Sequence, residues 1–264
     1  MGRIAATFER TRQAGRIALM PYLAMGYPTI QATLDLGPAL AAAGADIFEL
    51  GVPYSDPLAD GATVQRATQI ALKNGVTPRM CLDLVAMLRT VVDIPLVLMS
   101  YYNPIARSGG VAYIEAAAKA GIDGLIVPDL PPEEADEFSA AAVANNIDLI
   151  FFVAPTSTDA RLELVGRASR GFVYCVALSG VTGARSSMSA ELPAYLARVR
   201  QFTDLPLAVG FGISQPEHVG SIAPLADGAI VGAALIDRID SLSPEDRVTG
   251  AAAYIGELAA ATWR

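Results

Sequence analysis

At 264 residues, 53% hydrophobic and only 17% charged, the chain is long enough for one large α/β domain or two small ones and too apolar to be disordered. A net charge of -8 with no Lys/Arg-rich run argues against nucleic acid as a partner. No apolar run reaches the roughly 18 residues that span a bilayer, so no membrane association is expected.

Residues 1–10 lack a long apolar core and read as a helix rather than a signal peptide. Residues 16–24 form an apolar strand that ends at Gly26-Tyr27-Pro28, and a helix over 29–43 follows, with Leu34, Leu36 and Leu40 at helical spacing. The second strand, 46–50, runs into a turn-rich loop that ends at Asp60-Gly61, followed by helices over 62–73 and 78–91. The third strand, 95–100, leads through the loop Tyr101-Tyr102-Asn103-Pro104 to a helix over 110–120. Strand 125–129 and helix 132–145, strand 148–153 and helix 158–169, then strand 171–177 and helix 190–202 continue the alternation. Strand 207–212, with a helix opened by Ser214-Gln215-Pro216-Glu217, precedes strand 227–232, a short helix and a closing helix over 244–260.

Eight short strands alternating with helices, each strand a continuous apolar run, describe parallel strands buried on both faces. That count and spacing predict one α/β domain over residues 1–264, a (β/α)8 TIM barrel with extra short helices. A doubly wound open sheet is the alternative, and it lacks a Gly-x-Gly-x-x-Gly after the first strand. A loose internal repeat, Gly44-Ala45-Asp46, Gly121-Ile122-Asp123 and Ala226-Asp227-Gly228, precedes three of the strands.

Scarcity narrows the chemistry. The chain has one histidine, His218, expected on the surface of a helix, and two lysines, Lys73 and Lys119, both within helices. Schiff-base catalysis, a zinc site and a Ser-His-Asp triad each need residues that this composition does not supply near a strand end. Cys81 and Cys175, in a helix and a strand, read as buried thiols in a reducing cytosol. Carboxylates, hydroxyls and backbone amides are left to do the work.

Glu49 lies inside an apolar strand, where an ionised carboxylate is costly without a partner or a task. Asp60 comes eleven residues later, just before a helix. The pair suits acid/base chemistry. The plainer reading makes Glu49 a backbone cap and Asp60 a helix N-cap.

The loops Ser179-Gly180-Val181-Thr182-Gly183, Gly210-Phe211-Gly212-Ile213-Ser214 and Gly232-Ala233 follow the last three strands. Glycines there let backbone N–H groups approach an anion, and late barrel loops suit phosphate. Tight turns that bind nothing are the other reading. Tyr174 shares a strand face with Phe172 and Val176, as a site hydroxyl or a core tyrosine. Asp129 is a ligand or a helix cap, Asp56 a shaper of its loop, and Arg185 a phosphate cover or a solvated side chain.

The run from Glu49 through Gly61, Glu-Leu-Gly-Val-Pro-Tyr-Ser-Asp-Pro-Leu-Ala-Asp-Gly, resembles the signature of the tryptophan synthase alpha chain family. The three glycine loops and Val127-Pro128-Asp129-Leu130-Pro131 resemble that family in order and position, so the likeness covers nearly the whole chain. The resemblance implies a lyase of tryptophan biosynthesis that cleaves indole-3-glycerol phosphate to indole and glyceraldehyde 3-phosphate. It implies Glu49 as general acid/base and Asp60 as the carboxylate facing the indole N–H. It implies Tyr22 and Tyr174 beside the substrate, Thr182 engaging Asp60 on closure, and Gly183, Gly212, Gly232 and Ala233 around the phosphate. It further implies a cytoplasmic αββα heterotetramer in which indole passes to a beta chain. Pyridoxal phosphate belongs to that partner, and this chain carries no cofactor of its own.

Two positions depart from the family pattern. Ala233 stands for a common serine, which leaves only a backbone amide for phosphate, and Ala62 stands for a common proline. A stand-alone lyase and a non-catalytic activating subunit remain as alternatives. The expected partner face comprises residues 53–57, 102–107 and 129–132.

Overall fold

The computed structural model describes residues 2–176, 191–210 and 212–264. Its strands are β1 (Ala18–Ala24), β2 (Phe48–Gly51), β3 (Leu96–Met99), β4 (Gly124–Ile126), β5 (Asp148–Ile150), β6 (Phe152–Val153), β7 (Val173–Val176), β8 (Leu207–Gly210) and β9 (Gly228–Val231). All their pairings are parallel, in the order β5-β4-β3-β2-β1-β9-β8-β7-β6.

The two ends of that order are pieces of one extended stretch, 148–153, interrupted at Phe151. Its first half pairs with β4 and its second with β7. The pairings therefore return to their starting point, and the sheet is a (β/α)8 barrel. The expected single strand over 148–153 is broken where it changes neighbours. There the Phe151 N–H donates to Ser169 Oγ at 3.4 Å instead of to a ladder carbonyl.

The helices are α1 (Arg3–Gln13), α2 (Ile30–Ala42), α3 (Ala62–Lys73), α4 (Pro78–Arg89), α5 (Tyr102–Arg107), α6 (Val111–Ala120), α7 (Asp136–Ala144), α8 (Asp159–Ala168), α9 (Leu192–Arg200), α10 (Pro216–Ile222), α11 (Ala233–Asp240) and α12 (Arg247–Ala260). A 3₁₀ turn over Pro132–Glu134 occupies the start of the expected helix 132–145. The expected loop at 101–104 is instead the start of α5, because the Asp129 carboxylate accepts the Tyr102 N–H at 2.8 Å and caps the helix from a different unit. Among the described residues, no helix is long and apolar enough to cross a membrane.

Alternate strand residues face inward. Ala18, Met20, Ile47, Val97, Ile126, Ile150, Phe172, Ala208 and Ile230 fill the barrel. Ile4 and Phe8, one turn apart on α1, close it from below, with the Phe8 and Phe172 rings 5.7 Å apart. The other strand face, with Leu19, Phe48, Leu50, Leu98, Leu149 and Val209, packs under the helices. This double burial is why the strands read as unbroken apolar runs. Cys81 and Cys175 are free thiols in that outer layer.

The internal repeat has a structural meaning at the barrel floor. Asp46 accepts the Leu19 N–H at 3.0 Å and pairs with Arg16. Asp123 accepts the Leu96 N–H at 2.9 Å and pairs with Arg89. Asp227 accepts the Leu207 N–H at 3.0 Å and pairs with Arg200 and Arg264. Each aspartate thus satisfies a backbone N–H at the start of the preceding strand, on the second residue of β1 and the first of β3 and β8. With the floor plugged and clasped, the strand tops are the open end.

Candidate active site

Tyr22 and Glu49 are register partners on neighbouring strands, so both side chains rise from the same level of the barrel interior. Glu49 is two residues above Ile47, which belongs to the packed interior, and is the first of its strand to reach the cavity. The cavity, about 360 Å³, opens at the C-terminal ends of the strands and is within the range of small-molecule sites. Glu49, Asp60, Tyr22, Tyr174, Gly212, Gly232 and Ala233 all line it. Thr182 and Gly183 lie outside the described residues, as do Arg185, Phe211 and the rest of the loop 179–183.

Asp60 reaches the cavity because the loop after β2 folds back over it. The Asp60 N–H donates to the Pro57 carbonyl at 3.0 Å and buried Pro57 anchors the bend. Gly61, not Asp60, takes the N-cap position of α3, which starts at Ala62. The helix-cap reading of Asp60 therefore does not hold, and its carboxylate is left for the pocket. Alanine at 62 is accommodated as the first residue of a regular helix.

Burial sets the electrostatics. Glu49 is 2% exposed, and burial followed by the charge of Asp60 pushes its carboxyl up to about 8. Burial raises Asp60 to about 6, opposed by a hydrogen bond from Tyr101. Both carboxyls are thus held above the ordinary carboxylate range, and the strand acid keeps its proton to higher pH than the loop acid. Tyr22 and Tyr174 are held well above the usual phenol range, by burial first and then by the two carboxylates, so both remain hydroxyl donors.

Tyr101 is the residue that the sequence reading missed. Its hydroxyl accepts the Ala59 N–H at 2.9 Å and hydrogen-bonds Asp60, which pins the loop over the end of β3. Its ring also meets Tyr54 at 5.3 Å. Its position two residues past the end of β3 was the available signal. Met99 and Asp237 also line the cavity and carried no motif, and Ser214 lines it from the end of the glycine loop 210–214.

Elsewhere in the cavity lining, Gly212 has φ +53 with open space around it, and Gly232 caps α11 ahead of Ala233. Glycine is needed at that positive φ, and the first N–H groups of α11 have no carbonyl within the helix. This part of the lining offers amides and a helix N-terminus, as an anion requires.

The remaining candidates fall elsewhere. Asp129 is the cap of α5. Asp56 is exposed and bonded to Ser55 within its own loop. His218 is half-buried rather than a surface residue, because its Nδ1 accepts the Ser214 N–H at 3.3 Å and closes the turn before α10.

A family model described as "Tryptophan synthase alpha chain" matches residues 8–262. A protein of that name from Chloroflexus aurantiacus is 58% identical over 265 residues, covering 100% of both chains. One from Roseiflexus sp. is 54% identical, covering 98% of this chain and 99% of the relative. Among solved structures, Mycobacterium tuberculosis tryptophan synthase superposes with a TM-score of 0.91 at 41% identity, covering 100% of this chain and 99% of the other. The alpha subunit from Legionella pneumophila superposes with a TM-score of 0.92 at 35% identity, covering 99% and 98%.

Proposed function

The chain belongs to the tryptophan synthase alpha chain family, lyases that cleave indole-3-glycerol phosphate to indole and glyceraldehyde 3-phosphate, and from that premise we propose that Glu49 and Asp60 divide the proton transfers of this reaction. The observation that carries the division is the pair's placement in one cavity, where burial and the charge of Asp60 hold the Glu49 carboxyl above that of Asp60.

The substrate's own ring takes up the electrons. Protonated Glu49 delivers its proton to indole C3 while ionised Asp60 accepts the N1 proton, which leaves a neutral ring with a C=N bond. Glu49, now ionised, removes the proton from the side-chain hydroxyl next to C3. The O–H electrons form the aldehyde C=O, the C3–carbon bond breaks, and its electron pair restores the indole while N1 recovers its proton from Asp60. Glu49 ends protonated, so the cycle closes. Tyr22 and Tyr174 flank the ring across the barrel mouth. Gly212, Gly232 and Ala233 hold the phosphate through backbone amides, joined by Gly183, and Thr182 engages Asp60 when the site closes.

The reading extends to the whole chain acting as one barrel domain, residues 1–264, in the cytoplasm. Its partner is a tryptophan synthase beta chain in an αββα assembly, with pyridoxal phosphate held by the beta chain and none in this one. Support for the docking face comes from the contiguity of its three segments. Asn103 donates to the Tyr54 hydroxyl at 3.1 Å, Asp129 caps α5, and Leu58 projects 93% exposed beside them. Purified chain mixed with indole-3-glycerol phosphate should release indole, faster when beta chain is added. No indole in either mixture would refute the catalytic reading.

A further inference from the structure

Among the described residues lining the cavity, the formally charged side chains are Glu49, Asp60 and Asp237, all acids. A substrate ending in a phosphate dianion is poorly matched to such a lining, because like charges a few ångströms apart near a protein surface repel appreciably. Glu49 and Asp60 are assigned to the proton transfers at the indole ring. Asp237 lies at the phosphate end, four residues into α11 from Ala233 and therefore on the same side of that helix.

The structure sets a cation against it. Arg66 Nη2 on α3 lies 3.1 Å from Asp237 Oδ1 and 2.5 Å from Asp240 Oδ2. Thr63, one turn earlier, donates to the same Asp237 oxygen at 3.3 Å. The Tyr27 hydroxyl donates to the other Asp240 oxygen. The helix that starts two residues after Asp60 is thereby tied to the helix that starts at the phosphate end. Side-chain exposures of 47%, 58% and 36% for Arg66, Asp237 and Asp240 mean that the clasp contributes little to folding, so a variant without Arg66 should keep its fold.

We infer that Arg66 is a positioning residue for the phosphate end of the substrate, acting through Asp237, whose charge it cancels beside the incoming anion. The inference rests on the placement of phosphate at Gly212, Gly232 and Ala233. It needs no contact between Arg66 and the substrate.

The test is steady-state kinetics together with inhibition by glycerol 3-phosphate, with glycerol as the uncharged control. Arg66→Ala should raise KM and the glycerol 3-phosphate inhibition constant about tenfold, or about 1.4 kcal/mol, with kcat within about twofold of wild type. Arg66→Lys should stay near wild type. Asp237→Asn added to Arg66→Ala should restore affinity, and added salt should narrow the gap between Arg66→Ala and wild type. Asp237→Asn alone should leave phosphate binding equal or tighter, which keeps the test open if Arg66→Ala fails to fold.

An unchanged KM in Arg66→Ala, a raised KM that Asp237→Asn does not restore, or weaker phosphate binding in Asp237→Asn alone would overturn the inference. Wild-type chain that binds glycerol 3-phosphate no better than glycerol would overturn the phosphate placement itself, a failure visible without any variant.

Discussion

Gly51 and Tyr22 share one volume: a β-carbon built on Gly51 would stand 2.1 Å from the Tyr22 hydroxyl oxygen and 2.5 Å from its ring carbon. Gly51 sits two residues above Glu49 on β2, so its missing side chain is the slot through which Tyr22 crosses the barrel mouth. Gly210 makes the same allowance for Tyr174, at 2.7 Å. Gly51→Ala should therefore displace Tyr22, cost about 1–3 kcal/mol of stability as an overpacked site, and lower kcat/KM. Thermal unfolding and steady-state kinetics check it; a variant with wild-type values in both would remove Tyr22 from the ring-binding role.

Glu49→Gln keeps the shape of the side chain and removes its proton chemistry. Turnover should fall by about 10²–10⁴, the usual contribution of a general acid/base group, with the circular dichroism spectrum unchanged. Undiminished turnover in the folded variant would end the assignment.

The two carboxyls predict a bell-shaped pH profile for kcat/KM. Asp60 must be ionised, so activity is lost as pH falls through about 6. Glu49 must begin protonated, so activity is lost as pH rises through about 8. Asp60→Asn should abolish the acidic limb, reduce the rate sharply, and shift the remaining limb to lower pH, because the charge of Asp60 helps to keep Glu49 protonated. A profile whose alkaline limb does not move in that variant would separate the two groups.

The same shift makes a stability prediction with a definite sign. Burial raises the Glu49 carboxyl from its ordinary value of 4.5, which it regains on unfolding, to about 8 in the fold. The folded state holds the proton more tightly, so stability is full below 4.5 and declines as pH rises towards 8. Glu49→Gln cannot ionise, so its melting temperature relative to wild type should increase from pH 5 to pH 8.5, the full difference amounting to a few kcal/mol. A pH-independent difference would show that Glu49 is not buried as described.

At the barrel floor the sign reverses. Burial opposes ionisation of Asp227, but the Leu207 N–H and the Arg200 guanidinium outweigh it and hold the carboxyl below its usual range. Its stabilising effect is present above the ordinary carboxylate pKa and is lost as pH falls through the lowered folded value. Asp227→Asn should destabilise the fold by about 1–3 kcal/mol at neutral pH, a loss that shrinks in acid, with kcat unaffected because the site is at the opposite end of the barrel. Equilibrium denaturation at two pH values decides it.

Local pattern determined the architecture. Strands buried on both faces must be apolar throughout, and helices over them must repeat near every 3.6 residues, so eight alternating units were legible in the chain. Glu49 stood out because an acid within such a strand violates that pattern, and Asp60 because it follows in the loop that the strand feeds. Tertiary structure alone decided what these residues meet. The Asp129 cap that turns 102–107 into a helix is 27 residues away, and the Arg66–Asp237 pair spans 171. The break at Phe151 arises only because one strand serves two neighbours when the barrel closes. Periodicity reports which face of a segment is buried. Which remote side chain shares that burial, and hence which proton a carboxyl keeps, depends on contacts that exist only once the chain has closed on itself.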